Sequence, residues 1–297
     1  MTVAMTTEKV HTFGDRKGLM GVVTSPGDPR PGVPAVVILN AGLVHRVGPF
    51  RMSVELARHL ARLGLVALRF DQSALGDSLQ RKGGLSYEER AVVDAREAMD
   101  FLTERYDARQ FIVVGLCSGA MNAHRVALAD ERVAGAILLD GYAYRTRGSR
   151  QHMLLPHLVD RNAWRSVGRR IRAKVDEHLD RSGDPADTSE ALSGALSQPS
   201  ERPGDDAVDV FTQDWPPQGT VSRELKTVLA RGARLLFVYT GGWSYYVFAD
   251  QFYEMFPDLT GEPRVRVAFM SDADHTYMLQ EHREAMLAHV TKFIETF

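Results

Sequence analysis

Cysteine is almost missing from this chain. One occurs in 297 residues. That excludes an intrachain disulfide framework and a cysteine-rich zinc site, and it fits a reducing compartment. Net charge is nearly missing too. The formal value of −2 at pH 7 predicts no global pull toward nucleic acid or an anionic membrane surface. No run of eighteen apolar residues occurs, so no membrane-spanning helix is expected. The opening stretch MTVAMTTEKVHTFGDRKG has no apolar segment followed by a small-residue cleavage site, which reads as no signal peptide. The expected location is cytoplasmic. No P-loop or Rossmann glycine signature appears, and no metal or organic cofactor is expected. Internal repeats are absent.

What the chain does have is alternation. Residues 8–14 and 19–25 read as a hairpin about Asp15-Arg16-Lys17-Gly18. The prolines and glycines of SPGDPRPGVP make a surface loop. Short apolar runs follow at 35–40, 65–70, 111–115, 134–140, 234–240 and 264–270. Runs of that length, bounded by turns, suit strands covered on both faces. Helical patterns lie between them. Met52, Leu56, Leu60 and Leu63 form one stripe that Gly64 ends. Ser86 and Glu89 have capping-box spacing and open a helix with Val92, Val93, Met99 and Leu102 as its apolar face. Residues 118–129 and 279–294 give two more helices. The pattern predicts an α/β fold with a mostly parallel sheet and right-handed crossovers.

One segment interrupts the alternation. Residues 141–222 separate the strands numbered six and seven. The first part is arginine-rich, with Arg161, Arg165, Arg169, Arg170 and Arg172, and a mobile loop is expected at 182–209, where apolar content is low. A long insertion in a compact domain is read as a lid or substrate-entry segment. The expected core is then 1–140 with 223–297.

The solitary cysteine sits in Gly115-Leu116-Cys117-Ser118-Gly119, between an apolar strand and a helix. A strand that runs straight into a helix needs a tight, strained turn with small neighbours. The central side chain projects above the sheet, near a helix N-terminus whose dipole favours an anion such as a thiolate.

With the hairpin and the alternating strands, this pentapeptide resembles the nucleophile elbow of the α/β-hydrolase fold, written G-x-S-x-G in most members. The variant G-x-C-x-G resembles that of dienelactone hydrolases and polyhydroxyalkanoate synthases. The combination of HRVGPFR and FDQSALGDS resembles hydrolases found beside exopolysaccharide and exosortase export systems. The resemblance covers nearly the whole chain except the insertion, and it implies a triad. Cys117 would be the nucleophile. His275, in Asp-His-Thr-Tyr after the last strand, would be the base. The acid is a departure, because FVYTGGWSYYVFADQF has no carboxylate at the family's usual place after strand seven. Asp140, at the preceding strand end, is the first choice and Asp250 the second. Asp272 and Asp274 are expected to brace the histidine loop.

The resemblance also implies an oxyanion hole with one N–H from Ser118 and one from Leu43, in the loop after strand three. Asp71 and Asp77 are expected to tie that region to the sheet edge. His45 near the oxyanion loop, with Tyr142, Trp243 and Tyr245 after strand ends, are the candidate substrate-binding residues.

A nucleophilic cysteine forms a thioester with an acyl group, and exchange between thioesters is nearly isoenergetic. The expected activity is therefore acyl transfer or thioester cleavage through an acyl-cysteine. The expected partner is a small acyl substrate, carried on coenzyme A or on a carrier protein that the arginines meet. Two readings stay open beside it: a carboxylesterase or dienelactone-type hydrolase, and a non-catalytic ligand-binding member of the fold.

Overall fold

The computed structural model describes residues 6–159, 215–242 and 245–297. Strands β1 (Thr6–Phe13) and β2 (Leu19–Pro26) form the expected antiparallel hairpin about a short 3-10 turn at Asp15–Lys17. The apolar runs become β3 (Ala35–Ile38), β4 (Ala67–Asp71), β5 (Phe111–Leu116), β6 (Val133–Leu139), β7 (Arg234–Thr240) and β8 (Val265–Met270). All eight lie in one sheet of order β1-β2-β4-β3-β5-β6-β7-β8. The β1–β2 and β2–β4 pairs are antiparallel and every other pair is parallel.

The described helices are α1 (Met52–Arg62), α2 (Tyr87–Tyr106), α3 (Ser118–Ala129), α4 (Arg147–Val159), α5 (Gln218–Ala230), α6 (Gln251–Met255) and α7 (Gln280–Ile294). Among them, none is long and apolar enough to cross a membrane. The chain divides into two compact units, residues 1–146 with 216–297, and residues 147–215. The eight-stranded sheet belongs to the first, and so does α5, which begins inside the expected 141–222 insertion. The 182–209 loop, the five insertion arginines and Trp243 lie outside the described residues.

The strands are apolar throughout because both faces are covered. Val36, Val37, Ile112, Val113, Ile137, Leu138, Phe237 and Val238 have no exposed surface. One main cluster joins Leu56 and Leu60 of α1 to Met286, Val290 and Phe293 of α7 across β3, β5, β6 and β7.

Helix α2 starts at the expected capping box, with both reciprocal bonds between Ser86 and Glu89 present. Its buried face differs from the expected one. Ala91, Asp94, Ala95, Ala98, Met99 and Leu102 are buried, whereas Val92 and Val93 are only half-buried. Alanines let the helix lie close against its neighbours. Asp94 is tolerated there because its carboxylate is satisfied. It accepts the Ser73 N–H and hydroxyl at 2.7 Å each and the Arg81 guanidinium at 2.9 Å. Burial of a charge is stable only with such partners.

A parallel ladder brings the ends of β3, β5, β6, β7 and β8 to one edge of the sheet. The loops that leave that edge are where α/β folds bind ligands. Removing Arg81 tests the α2 contact. Arg81→Met is expected to cost about 3 kcal/mol, the penalty for stranding a buried charge. Arg109→Met, which breaks an exposed pair with Asp107, is expected to cost less than about 1 kcal/mol. Urea unfolding of both variants checks the contrast.

Candidate active site

Cys117 occupies the turn between β5 and α3 with φ 57° and ψ −122°. A non-glycine residue there is strained, at a cost on the order of 1–3 kcal/mol. The surroundings enforce it. The Cys117 N–H donates to the Leu139 carbonyl at 2.9 Å, and the Cys117 carbonyl accepts the Ala120 N–H at 2.9 Å. The flanking glycines are required by close approach. A Cβ on Gly115 would lie 2.0 Å from the Gly119 carbonyl oxygen, and one on Gly119 would lie 2.4 Å from the Asn40 carbonyl oxygen. The Cys117 side chain is left half-buried above the edge of the sheet.

His275 reaches this turn from the loop after β8. Its Nδ1 lies 2.9 Å from Asp140 Oδ2, and its ring also makes a hydrogen bond with the Cys117 thiol. Asp140 follows β6 directly, has φ 45° and has no exposed surface. Its carboxylate accepts the Thr240 N–H at 2.7 Å and the Thr240 hydroxyl at 2.7 Å. Thr240 is the last residue of β7, the strand from which an acid was missing in the sequence. Sequence reasoning passed over this threonine. The available signal was a hydroxyl at the end of an apolar strand, one strand over from a carboxylate.

The double glycine after Thr240 explains why the acid is not on β7. A Cβ on Gly241 would lie 1.9 Å from the Ser271 carbonyl oxygen, and one on Gly242 would lie 2.7 Å from the Asp274 Cα. The histidine loop is packed directly on that backbone. It is held by the Gly241 N–H on the Met270 carbonyl and the Gly242 N–H on the Ala273 carbonyl, both at 2.9 Å. A carboxylate side chain does not fit there. Asp250, the second-choice acid, is exposed at the start of α6. Asp274 braces the loop as expected, accepting the Thr276 N–H, the Thr276 hydroxyl and the Met278 N–H.

The His275 pKa is raised to about 9. Burial pulls it down, but the bonds to Asp140 and Cys117 and the electrostatic contributions of both groups outweigh that. At neutral pH the ring is an imidazolium.

The loop after β3 closes the other side of the elbow. Asn40 donates to the Val44 carbonyl at 2.9 Å and accepts the Gln72 N–H at 2.8 Å. The buried Asp71 carboxylate accepts the Arg46 N–H at 2.6 Å and the Asp77 N–H at 3.1 Å, and it pairs with the Arg46 guanidinium. Asp71 and Asp77 are thus the expected braces. The same network takes His45, whose Nε2 lies 2.6 Å from the Arg46 guanidinium and 3.3 Å from Asp77. His45, Asp71 and Asp77 offer three ligand atoms near one another, but the Arg46 guanidinium already sits among them.

The amide that meets the elbow is that of Gly42, whose N–H donates to Ser118 Oγ at 2.7 Å. Leu43, the expected second donor, is 78% exposed. Tyr142 follows the end of β6. It is buried, and its hydroxyl lies 3.0 Å from Nδ1 of the buried His124. Tyr245 is half-buried, with its carbonyl accepting from Gln251 at 2.6 Å and the Arg145 guanidinium 5.9 Å from its ring centre.

A family model described as the alpha/beta hydrolase fold matches residues 34–185, about half of the chain. The chain belongs to the alpha/beta hydrolase family. Its sequence is 29% identical to esterase EstD of Thermotoga maritima over 114 residues, a match that spans 37% of this chain and only 27% of that esterase. Solved alpha/beta hydrolase structures align along nearly the full length. A proline iminopeptidase of Mycobacterium smegmatis has TM-score 0.59 at 16% identity, with 98% of each chain covered. An esterase of Pyrococcus furiosus has TM-score 0.56 at 15% identity, with 99% of this chain and 91% of that chain covered. These likenesses establish the fold.

The Asp140–His275 contact predicts a titration. In a histidine-selective NMR pH series, Asp140→Asn is expected to lower the His275 midpoint from about 9 by about one unit or more, because the imidazolium loses its counter-charge. Thr240→Val is expected to lower it less, and Asp250→Asn to leave it in place.

Proposed function

We propose that this alpha/beta hydrolase is an acyl-transferring or thioester-cleaving enzyme that works through a covalent acyl-cysteine, with Cys117 as nucleophile, His275 as acid and base, and Asp140 as the acid that orients it. One observation carries the reading: His275 contacts both the buried Asp140 carboxylate and the thiol held at the strained elbow. A nucleophile, a base within reach and a third group orienting the base is the general arrangement for covalent catalysis. Asp140 is the carboxylate in contact with His275, at 2.9 Å.

In the proposed cycle the thiolate of Cys117 attacks the carbonyl carbon of an acyl donor and forms a C–S bond. The carbonyl electron pair moves to oxygen. When that intermediate collapses, the bond to the leaving group breaks. A leaving thiolate departs first and then takes the proton of the His275 imidazolium, whereas an alkoxide takes that proton as it leaves. Neutral His275 then removes a proton from the water, alcohol, amine or thiol that attacks the acyl-cysteine. The favoured donor is an acyl group on pantetheine, from coenzyme A or a carrier protein. The site of action in this proposal is the cytoplasm, where a lone thiol stays reduced.

A second reading is carboxylester hydrolysis by the same residues. It is favoured by the sequence match to a named esterase.

The test is intact-protein mass spectrometry after brief incubation with acyl thioesters and matched oxyesters. Wild type is expected to carry an acyl adduct that Cys117→Ala lacks. Equal consumption of donor by Cys117→Ala would remove Cys117 from the mechanism. Faster acylation from oxyester than from its matched thioester would favour the second reading.

The pH profile gives an independent check. Acylation from an oxyester is expected to fall above about pH 9, as the imidazolium loses the proton the alkoxide needs. Acylation from the thioester is expected to show no such fall.

A further inference from the structure

The Ser118 side chain is joined to the oxyanion loop. Its Oγ accepts the Gly42 N–H at 2.7 Å. Among the described residues, no acceptor takes the hydroxyl's own proton. The bond uses the amide that this loop turns toward the elbow, and it leaves a donor on the residue next to Cys117. The Ser118 N–H, at the first position of α3, has no intrahelical partner. One residue therefore offers two donors beside the thiol.

We infer that the Ser118 hydroxyl, polarised by the Gly42 N–H, donates to the oxyanion beside the Ser118 N–H. This rests on Cys117 being the nucleophile and deepens that reading. A hydroxyl that accepts one hydrogen bond donates the next more strongly. The loop is held from behind by Asn40 and Asp71, so the relay from Gly42 to Ser118 to oxygen is fixed before substrate arrives. Preorganised donors of this kind act where charge develops.

In the step itself, Cys117 Sγ forms a bond to the acyl carbon and the C=O π pair becomes a lone pair on oxygen. The Ser118 N–H and O–H donate to that oxygen without giving up their protons. The pair returns to re-form C=O as the carbon–sulfur bond to the leaving thiolate breaks. No oxidant or further reactant enters.

The experiment compares Ser118→Ala and Ser118→Thr with wild type on three probes: an acyl thioester, its dithioester with sulfur in place of the carbonyl oxygen, and iodoacetamide. Adduct formation on Cys117 is timed by mass spectrometry. Loss of one oxyanion donor is expected to slow thioester acylation of Ser118→Ala by about 100-fold. The dithioester rate is expected to change by less than about fivefold, because sulfur accepts hydrogen bonds weakly. Alkylation by iodoacetamide, which builds no oxyanion, is expected to stay within about twofold, and Ser118→Thr to recover most of the thioester rate.

Thioester acylation of Ser118→Ala at the wild-type rate would overturn the inference. Equal losses on all three probes would also overturn it, by showing that the hydroxyl holds the elbow and not the oxyanion. Failure of the underlying reading looks different: Cys117→Ala would still consume the thioester.

Discussion

A carboxylate with no exposed surface must be satisfied inside the protein, and the Asp140 carboxylate organises the whole edge of this sheet. Its bonds run to the Thr240 N–H, the Thr240 hydroxyl and His275 Nδ1. They tie the end of β6 to the end of β7 and to the loop after β8. The backbone continues the chain of contacts. Cys117 N–H bonds to the Leu139 carbonyl, next to Asp140, and Asp140 N–H bonds to Val238. The elbow, the carboxylate and the histidine are thus fixed by one short run of parallel ladder. Burying an unpaired charge costs several kcal/mol, so an arrangement in which Asp140 let go of these partners is disfavoured before any chemistry is considered.

The fold was largely legible in the sequence because its signals are local. Apolar runs bounded by turns gave each strand to within a residue or two. Ser86 with Glu89 marked the start of α2, and the spacing of Gly115 and Gly119 marked the elbow. The acid was half legible. The missing carboxylate after β7 pointed to its neighbour, and Asp140 is the residue in contact with His275. The reason lay beyond sequence reading: Gly241 and Gly242 are needed because the histidine loop sits on their backbone, which only three-dimensional packing reveals. The changed face of α2 has the same origin. The face of α2 turned toward alanines because close packing and a satisfied Asp94 outweighed two valines. In the loop after β3 the Gly42 N–H donates to Ser118, one residue before Leu43. Tyr142 lies after a strand end, where ligands bind in this fold, yet its hydroxyl turns inward to His124.

Charge on His275 bears on the chemistry that this site suits. Raised to about 9, the ring holds its proton at neutral pH, between a buried carboxylate and a thiol. A neutral imidazole would be ready to take a proton from a hydroxyl nucleophile. An imidazolium is ready to stand beside a thiolate and to give a proton to a leaving group. The contact with Cys117 is itself one cause of the raised value.

Strain and rigidity at the elbow then have a common cause. Gly119 lies so close to Asn40 that even a methyl group would collide with the Asn40 carbonyl. That contact sets the separation between α3 and the loop after β3. The same asparagine holds Val44 and Gln72, and Asp71 holds the next turn through Arg46. The loop is pinned from the elbow side by backbone contact and from the far side by a buried carboxylate. Gly42 consequently meets Ser118 at a fixed distance, and the donors beside Cys117 cannot drift to follow a ground-state carbonyl. Donors that cannot reorganise are costly to build into a fold. In this chain the Gly42 and Ser118 groups held in this way stand next to the one cysteine.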